Sequence, residues 1–211
     1  MIYEVRTYDL KPRTQDEFEK RFGEAYEKRK KYSELGAFWH TEIGPLNQVI
    51  HVWPYQDLTE RSEVRAAAVN DGVWPPQGNE AVLLAQRSEI FLPFPMSPAL
   101  KPGKAGPYFE MRIYTLAPGG LPNIEKAWQH SLPERLKFGP LTAVWYSDVG
   151  GINKFMHIWP YSSLDARSDI RRRAQQAGAW PPSAQKAGSP PYTLLHQENK
   201  ILMPAAFSPL Q

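Results

Sequence analysis

Residues His51–Tyr55 read HVWPY, and residues His157–Tyr161 read HIWPY. One five-residue phrase, with a single Val-to-Ile change, thus recurs at an offset of 106 in a chain of 211. At that offset the likeness spreads in both directions. YEVRTYDL (Tyr3–Leu10) falls on FEMRIYTL (Phe109–Leu116), and DLTERSEVRAAAVNDGVWPP falls on SLDARSDIRRRAQQAGAWPP. Between residues 3–76 and 109–182, 27 of 74 aligned pairs are identical without a gap. Beyond that the offset becomes 111, and PFPMSPAL (Pro93–Leu100) meets PAAFSPLQ at the C-terminal end. Two copies are too few for a solenoid. The pattern reads as a tandem duplication: a first repeat over 1–97, a Pro/Gly/Lys-rich linker over 98–107, and a second repeat over 108–211.

Each copy carries the same run of elements. IYEVRTYDL alternates and is rich in strand formers, so it reads as a first strand. TQDEFEKRFGEAYEKRKKY reads as a helix with Phe18, Phe22 and Tyr26 on one face and a capping box at Thr14 and Glu17. In the second copy Pro122 suits the first helical turn, whereas Pro133 is expected to kink or split that helix. AFWHTEI and NQVIHVW read as strands around a turn at Gly44–Asn47. A second helix starts at Asp57, with Glu60 at cap spacing, and AVLLAQRSEIFL closes the unit as a strand. The order is β-α-β-β-α-β, the ferredoxin-like order. Helices on one face of a four-stranded sheet leave the other face to be buried, and a tandem copy supplies the cover. The expected fold is therefore α+β, two tandem ferredoxin-like repeats forming an intrachain dimeric α/β barrel.

Strand alternation sorts the side chains into two sets. Val5 and Thr7 alternate with Glu4, Arg6 and Tyr8; Met111 and Ile113 alternate with Glu110, Arg112 and Tyr114. The apolar set is expected to meet the helices. The polar set, with His51 and Trp53 (His157 and Trp159), is expected to line the barrel lumen. Two readings of that set stay open: a hydrogen-bonded network that fixes sheet register, or an aromatic-walled ligand site with convergent polar groups. The candidate ligand-binding residues are Glu4, Arg6, Tyr8, Trp39, Trp53, Glu110, Arg112, Tyr114, Trp145 and Trp159. His51 and His157 are the candidate catalytic residues, because imidazole titrates near neutral pH. On the second helix Arg61 and Arg65, and in the other copy Arg167 and Arg171, lie on one stripe. There they either clamp a carboxylate or phosphate, cap a neighbouring strand end, or pair with acidic residues of the other copy.

Composition narrows the classes. Cysteine is absent, which excludes disulfides, thiolate metal sites and cysteine nucleophiles. The five histidines lack HxH or HExxH spacing, so no metal is expected, and no Gly-rich phosphate loop is present. No cofactor is expected. Net charge is +3, with 12 Lys+Arg against 15 Asp+Glu in residues 1–100 and 13 against 7 in residues 101–211. No concentrated basic stripe points to nucleic acid. No stretch approaches the ~20 apolar residues of a membrane span, and no signal pattern opens the chain. A cytoplasmic, unprocessed protein is expected.

The run His51-x-Trp53-x-Tyr55-x-x-Leu58-x-x-Arg61-x-x-x-Arg65, followed by Trp74 and preceded by Trp39 and EIGPLNQVIH, resembles the NIPSNAP family. It recurs at His157, Trp159, Tyr161, Leu164, Arg167, Arg171 and Trp180, and the resemblance covers nearly the whole chain twice. It implies the dimeric α/β-barrel fold and little defined chemistry. Two function classes follow. One is a barrel that binds a small anionic or aromatic molecule, with isomerase- or oxygenase-type chemistry needing no cofactor. The other is a non-catalytic interaction or scaffold protein.

Overall fold

A computed structural model describes residues 1–211. The chain divides into two compact units. The first holds Met1–Leu92, Lys101–Lys104 and Leu202–Gln211; the second holds Pro93–Leu100 and Ala105–Ile201. The short segment that follows each copy's last strand thus belongs to the unit built by the other copy.

In the first unit the elements are β1 (Ile2–Leu10), α1 (Gln15–Arg29), β2 (Ala37–Ile43), β3 (Gln48–Tyr55), α2 (Leu58–Asn70) and β4 (Leu83–Pro93). Antiparallel pairing runs β4-β1-β3-β2. The second unit repeats this with β5 (Tyr108–Leu116), α3 (Leu121–Leu136), β6 (Ala143–Val149), β7 (Lys154–Tyr161), α4 (Leu164–Gln176) and β8 (Leu194–Pro204). There β5 pairs antiparallel with β7, β7 with β6, and β8 lies beside β5. Asn47 and Asn153 both sit at φ 55° in the hairpin turns, a left-handed conformation that Asn adopts at lower cost than most residues. No helix is long and apolar enough to cross a membrane.

Helix ends follow local chemistry, with two departures from expectation. Asp57 accepts from the Glu60 N–H at 2.9 Å, and Ser163 does the same for Ala166 at 3.0 Å. Thr14 forms no such cap on α1; its hydroxyl donates to the Lys11 carbonyl at 2.7 Å instead. Nor does Pro133 split α3, which runs through to Leu136. Proline in the final turn removes one backbone donor with little helix left to disrupt. The HVWPY phrase lies wholly inside β3, so Pro54 and Tyr55 extend the strand rather than leave it.

The expected assignment of faces is reversed. Across β1, β3 and β2, Arg6 sits opposite His51, His51 opposite Phe38, and Glu4 opposite Trp53, so these side chains share one face. That face lies under the helices: Phe18, Phe22 and Tyr26 of α1 cluster with Tyr8, Phe38, Val49 and Trp53. In the second unit Ile124, Trp128 and Leu132 of α3 cluster with Val144, Phe155 and Trp159. Val5, Ile50 and Val52 are buried on the opposite face. Because both faces of this sheet are buried, alternation separates the two sets but does not say which one the helices cover. Charged residues are admissible under the helices because α2 and α4 bring their own arginines.

Candidate functional site

Glu4 is fully buried at the centre of the helix-covered face. Its carboxylate accepts from Arg6 at 2.8 Å, Arg61 at 2.6 Å and Ser88 at 2.6 Å, with Arg65 at 3.7 Å. Glu110 repeats the arrangement with Arg112 at 3.0 Å, Arg167 at 2.6 Å and Arg171 at 3.5 Å. The arginine stripe of each second helix therefore faces the acidic residue of its own copy. Burial by itself would raise the Glu4 pKa. The Arg61 and Ser88 hydrogen bonds, with the charges of Arg6 and Arg65, outweigh it and hold the group down at about 2. Glu110 is lowered on the same balance. One carboxylate faces three guanidinium groups in each unit, which leaves each cluster with an excess of positive charge.

Arg6 also donates through Nε to the Tyr8 phenol oxygen at 2.6 Å, and Arg112 does so to Tyr114 at 2.6 Å. The phenol oxygen is thereby an acceptor, and its own proton is free to donate. Burial raises the Tyr8 pKa and keeps the group neutral, although the Arg6 charge works the other way.

The histidines of the repeated phrase are buried. The Trp53 indole donates to His51 Nδ1 at 2.7 Å, and Trp159 donates to His157 Nδ1 at 2.8 Å. Indole is a donor only, so Nδ1 carries the lone pair and Nε2 the proton. Neither Nε2 has a hydrogen-bond partner. Burial, followed by the charge of Arg6 or Arg112, holds each pKa well below the ordinary value. In this geometry each imidazole is a neutral donor whose one lone pair is already engaged, which does not favour general-base chemistry.

The other expected site residues divide. Trp53 and Trp159 join the cluster under the helices. Trp39 sits opposite Ile50, and Trp145 opposite Met156, so both face away from it. Trp74 packs under α1 against Phe22 and Trp53, with ring centroids at 5.0 and 5.8 Å. Two buried residues escaped the sequence reading. Arg29 lies 5.0 Å over the Trp53 ring and Arg135 lies 4.1 Å over Trp159. Their signal was identity at matching positions of both copies, hidden in the basic last turn of a helix.

Each unit has a cavity between sheet and helices. The first, of about 280 Å³, has Tyr8, Phe18, Phe22 and Trp74 as walls and reaches Arg6 and Arg65. The second, of about 210 Å³, is lined by Tyr114, Trp128, Phe155, His157 and Trp180, among others.

The NIPSNAP family model matches residues 3–98 and again 109–209. The chain is 32% identical over 216 residues to Protein NipSnap homolog 3B of Homo sapiens, covering all of this chain and 86% of that protein. Among solved structures it resembles a putative monooxygenase from Lactobacillus acidophilus at TM-score 0.66 and 8% identity, covering 96% of this chain and 92% of that one. An anthrone oxidase-like protein matches at TM-score 0.59 and 9% identity, over 96% and 90%. At such identities these two likenesses speak for the fold alone. That fold is the α+β class expected from the sequence: two tandem ferredoxin-like repeats of the dimeric α/β-barrel type. On the double match across nearly its whole length, the chain belongs to the NIPSNAP family.

Proposed function

We propose that the first repeat binds a small organic anion, an aryl or arylalkyl carboxylate, in the cavity between its sheet and helices. The observation that carries this reading is the meeting of aromatic walls with a surplus of cations. Arg6 and Arg65 reach the cavity, while the one carboxylate of the cluster, Glu4, is shared among three arginines. Guanidinium groups bind carboxylates well, and a low-dielectric wall strengthens the attraction. Tyr8 adds a neutral O–H donor. Phe18, Phe22 and Trp74 supply apolar contact for a ring. Arg6, Arg65 and Tyr8 are donors, with Glu80 the one carboxylate lining the cavity, and this set suits recognition, or stabilisation of negative charge on a bound oxygen. Binding is therefore the function supported best.

The test is calorimetric titration with phenylacetate and with 2-phenylethanol, its neutral analogue. Phenylacetate is expected to bind at least tenfold more tightly, and its affinity is expected to fall as salt rises. Equal binding of the two probes, or none, overturns the anion site and favours the scaffold role.

A further inference from the structure

The cavity of the first repeat carries charge of both signs. Arg6 and Arg65 reach it from β1 and α2, and Glu80 reaches it from a short 3-10 turn at Asn79–Ala81. The two signs lie apart along the sheet. Arg6 pairs with Ser88, whereas Leu10, at the far end of β1, pairs with Leu83. The strand between Arg6 and Leu10 spans about 13 Å, and Glu80 precedes Leu83 beyond that end. Phe18, Phe22 and Trp74 wall the same space. The cations nearby are engaged elsewhere. Arg6 and Arg65 face Glu4, and Arg21, which holds the Gly78 carbonyl at 2.9 Å, pairs with Glu17. Glu80 is exposed and forms no ion pair. A carboxylate that served the buried arginines would lie within reach of them and would recur in the second repeat. Glu80 does neither: at the offset of 111 its place is taken by Pro191, and none of the side chains lining the second cavity is charged.

We infer that the ligand of the first repeat is dipolar: an aryl carboxylate that carries an ammonium group at the far end of its ring. Its carboxylate meets Arg6 and Arg65, its ring lies among Phe18, Phe22 and Trp74, and its ammonium meets Glu80. The inference rests on the anion site proposed above and adds a second pole to it. Size admits a ring with two substituents: a cavity of about 150 Å³ holds benzene, and this one is about 280 Å³. Because Glu80 is open to water, its pairing with an ammonium adds a few-fold in affinity and no more. Its contribution is selectivity between aryl acids that the arginines alone would hold alike.

The probes are phenylacetate, 4-(aminomethyl)phenylacetate and 2-phenylethanol, titrated by calorimetry against the whole chain. The native chain is expected to bind the aminomethyl acid about fivefold more tightly than phenylacetate. Glu80→Gln, a change at an exposed position, is expected to abolish that preference. Glu63→Gln makes the same change in net charge on the exposed side of α2, away from the cavity, and is expected to keep the preference. Equal binding of the two acids by the native chain, or a preference that survives Glu80→Gln, overturns the inference and leaves the anion site standing. Loss of the preference in Glu63→Gln as well overturns it too, since net charge would then suffice. Phenylacetate bound no better than 2-phenylethanol overturns the anion site, and the inference with it.

Discussion

The two repeats agree where charge is buried and differ where space is left. Glu4 and Glu110 each hold three arginines, and His51 and His157 each accept an indole N–H at nearly the same distance. Around this common frame the walls have drifted: Phe18 and Phe22 become Ile124 and Trp128, and Gly23 becomes Gln129. A frame of buried ions tolerates little change, because losing any partner strands a charge in a low dielectric. A cavity wall tolerates much more. The shared residues therefore describe how the unit is built, and the unshared ones describe what each unit can hold.

The largest effect is expected from attacking the shared frame. Glu4→Gln and Glu110→Gln should each cost about 3 kcal/mol or more, since three guanidinium groups lose one carboxylate; urea midpoints measure this. Acid tests the same group without substitution. Glu4 is depressed from 4.5 to about 2 in the folded chain. Its stabilisation is then fully present above about pH 4.5 and is lost as pH falls toward 2. The gap in stability between the native chain and Glu4→Gln should close across that window. A gap independent of pH breaks the claim that ionised Glu4 organises the frame.

A smaller effect separates the repeats. Phe207 of the C-terminal segment lies against Phe22 and Phe38, with ring centroids at 5.7 and 4.9 Å. A Cβ at Gly23 would sit 2.8 Å from its ring. Gly23→Ala should therefore destabilise by about 1 kcal/mol, despite the better helix propensity of alanine, because the whole ring must move. In a Phe207→Ala background the same change should stabilise by about 1 kcal/mol. Thermal unfolding of the four chains in the cycle decides between strain and propensity.

The smallest signal is one of ionisation alone. His51 and His157 should still be neutral at pH 6.5, where an ordinary imidazole is half protonated, in an imidazole NMR titration. His40, paired with Glu19 at 2.8 Å, should titrate above the ordinary value. Linkage gives the sign for the buried pair: depressed folded values mean stability is lost as pH falls below about 6.5, where the unfolded chain takes up protons. Titration of His51 near 6.5 breaks the assignment of a sealed donor.

Much of this was legible in the residues. The repeat, the order of elements and the grouping of Glu4, Arg6, Tyr8, His51 and Trp53 on one face followed from identity and alternation. The side on which that face lies did not follow, because alternation has two faces and both are buried here. Arg61 and Arg65 read as a clamp, as caps of a strand end or as partners for acid of the other copy; the acid is that of their own copy, Glu4, which a stripe on α2 does not reveal. Arg29 and Arg135 were hidden among the charges of a helix end. The exchange of Pro93–Leu100 and Leu202–Gln211 was hidden too: two similar segments carry no mark of which unit receives them.

The most direct test sets equivalent arginines against each other. Arg65 reaches the first cavity, whereas Arg171, its counterpart, does not line the second. Calorimetric titration of phenylacetate is expected to show at least tenfold weaker binding for Arg65→Gln and unchanged binding for Arg171→Gln. Equal losses in the two variants, or a loss with Arg171→Gln alone, would contradict the claim that a common frame carries two different cavities.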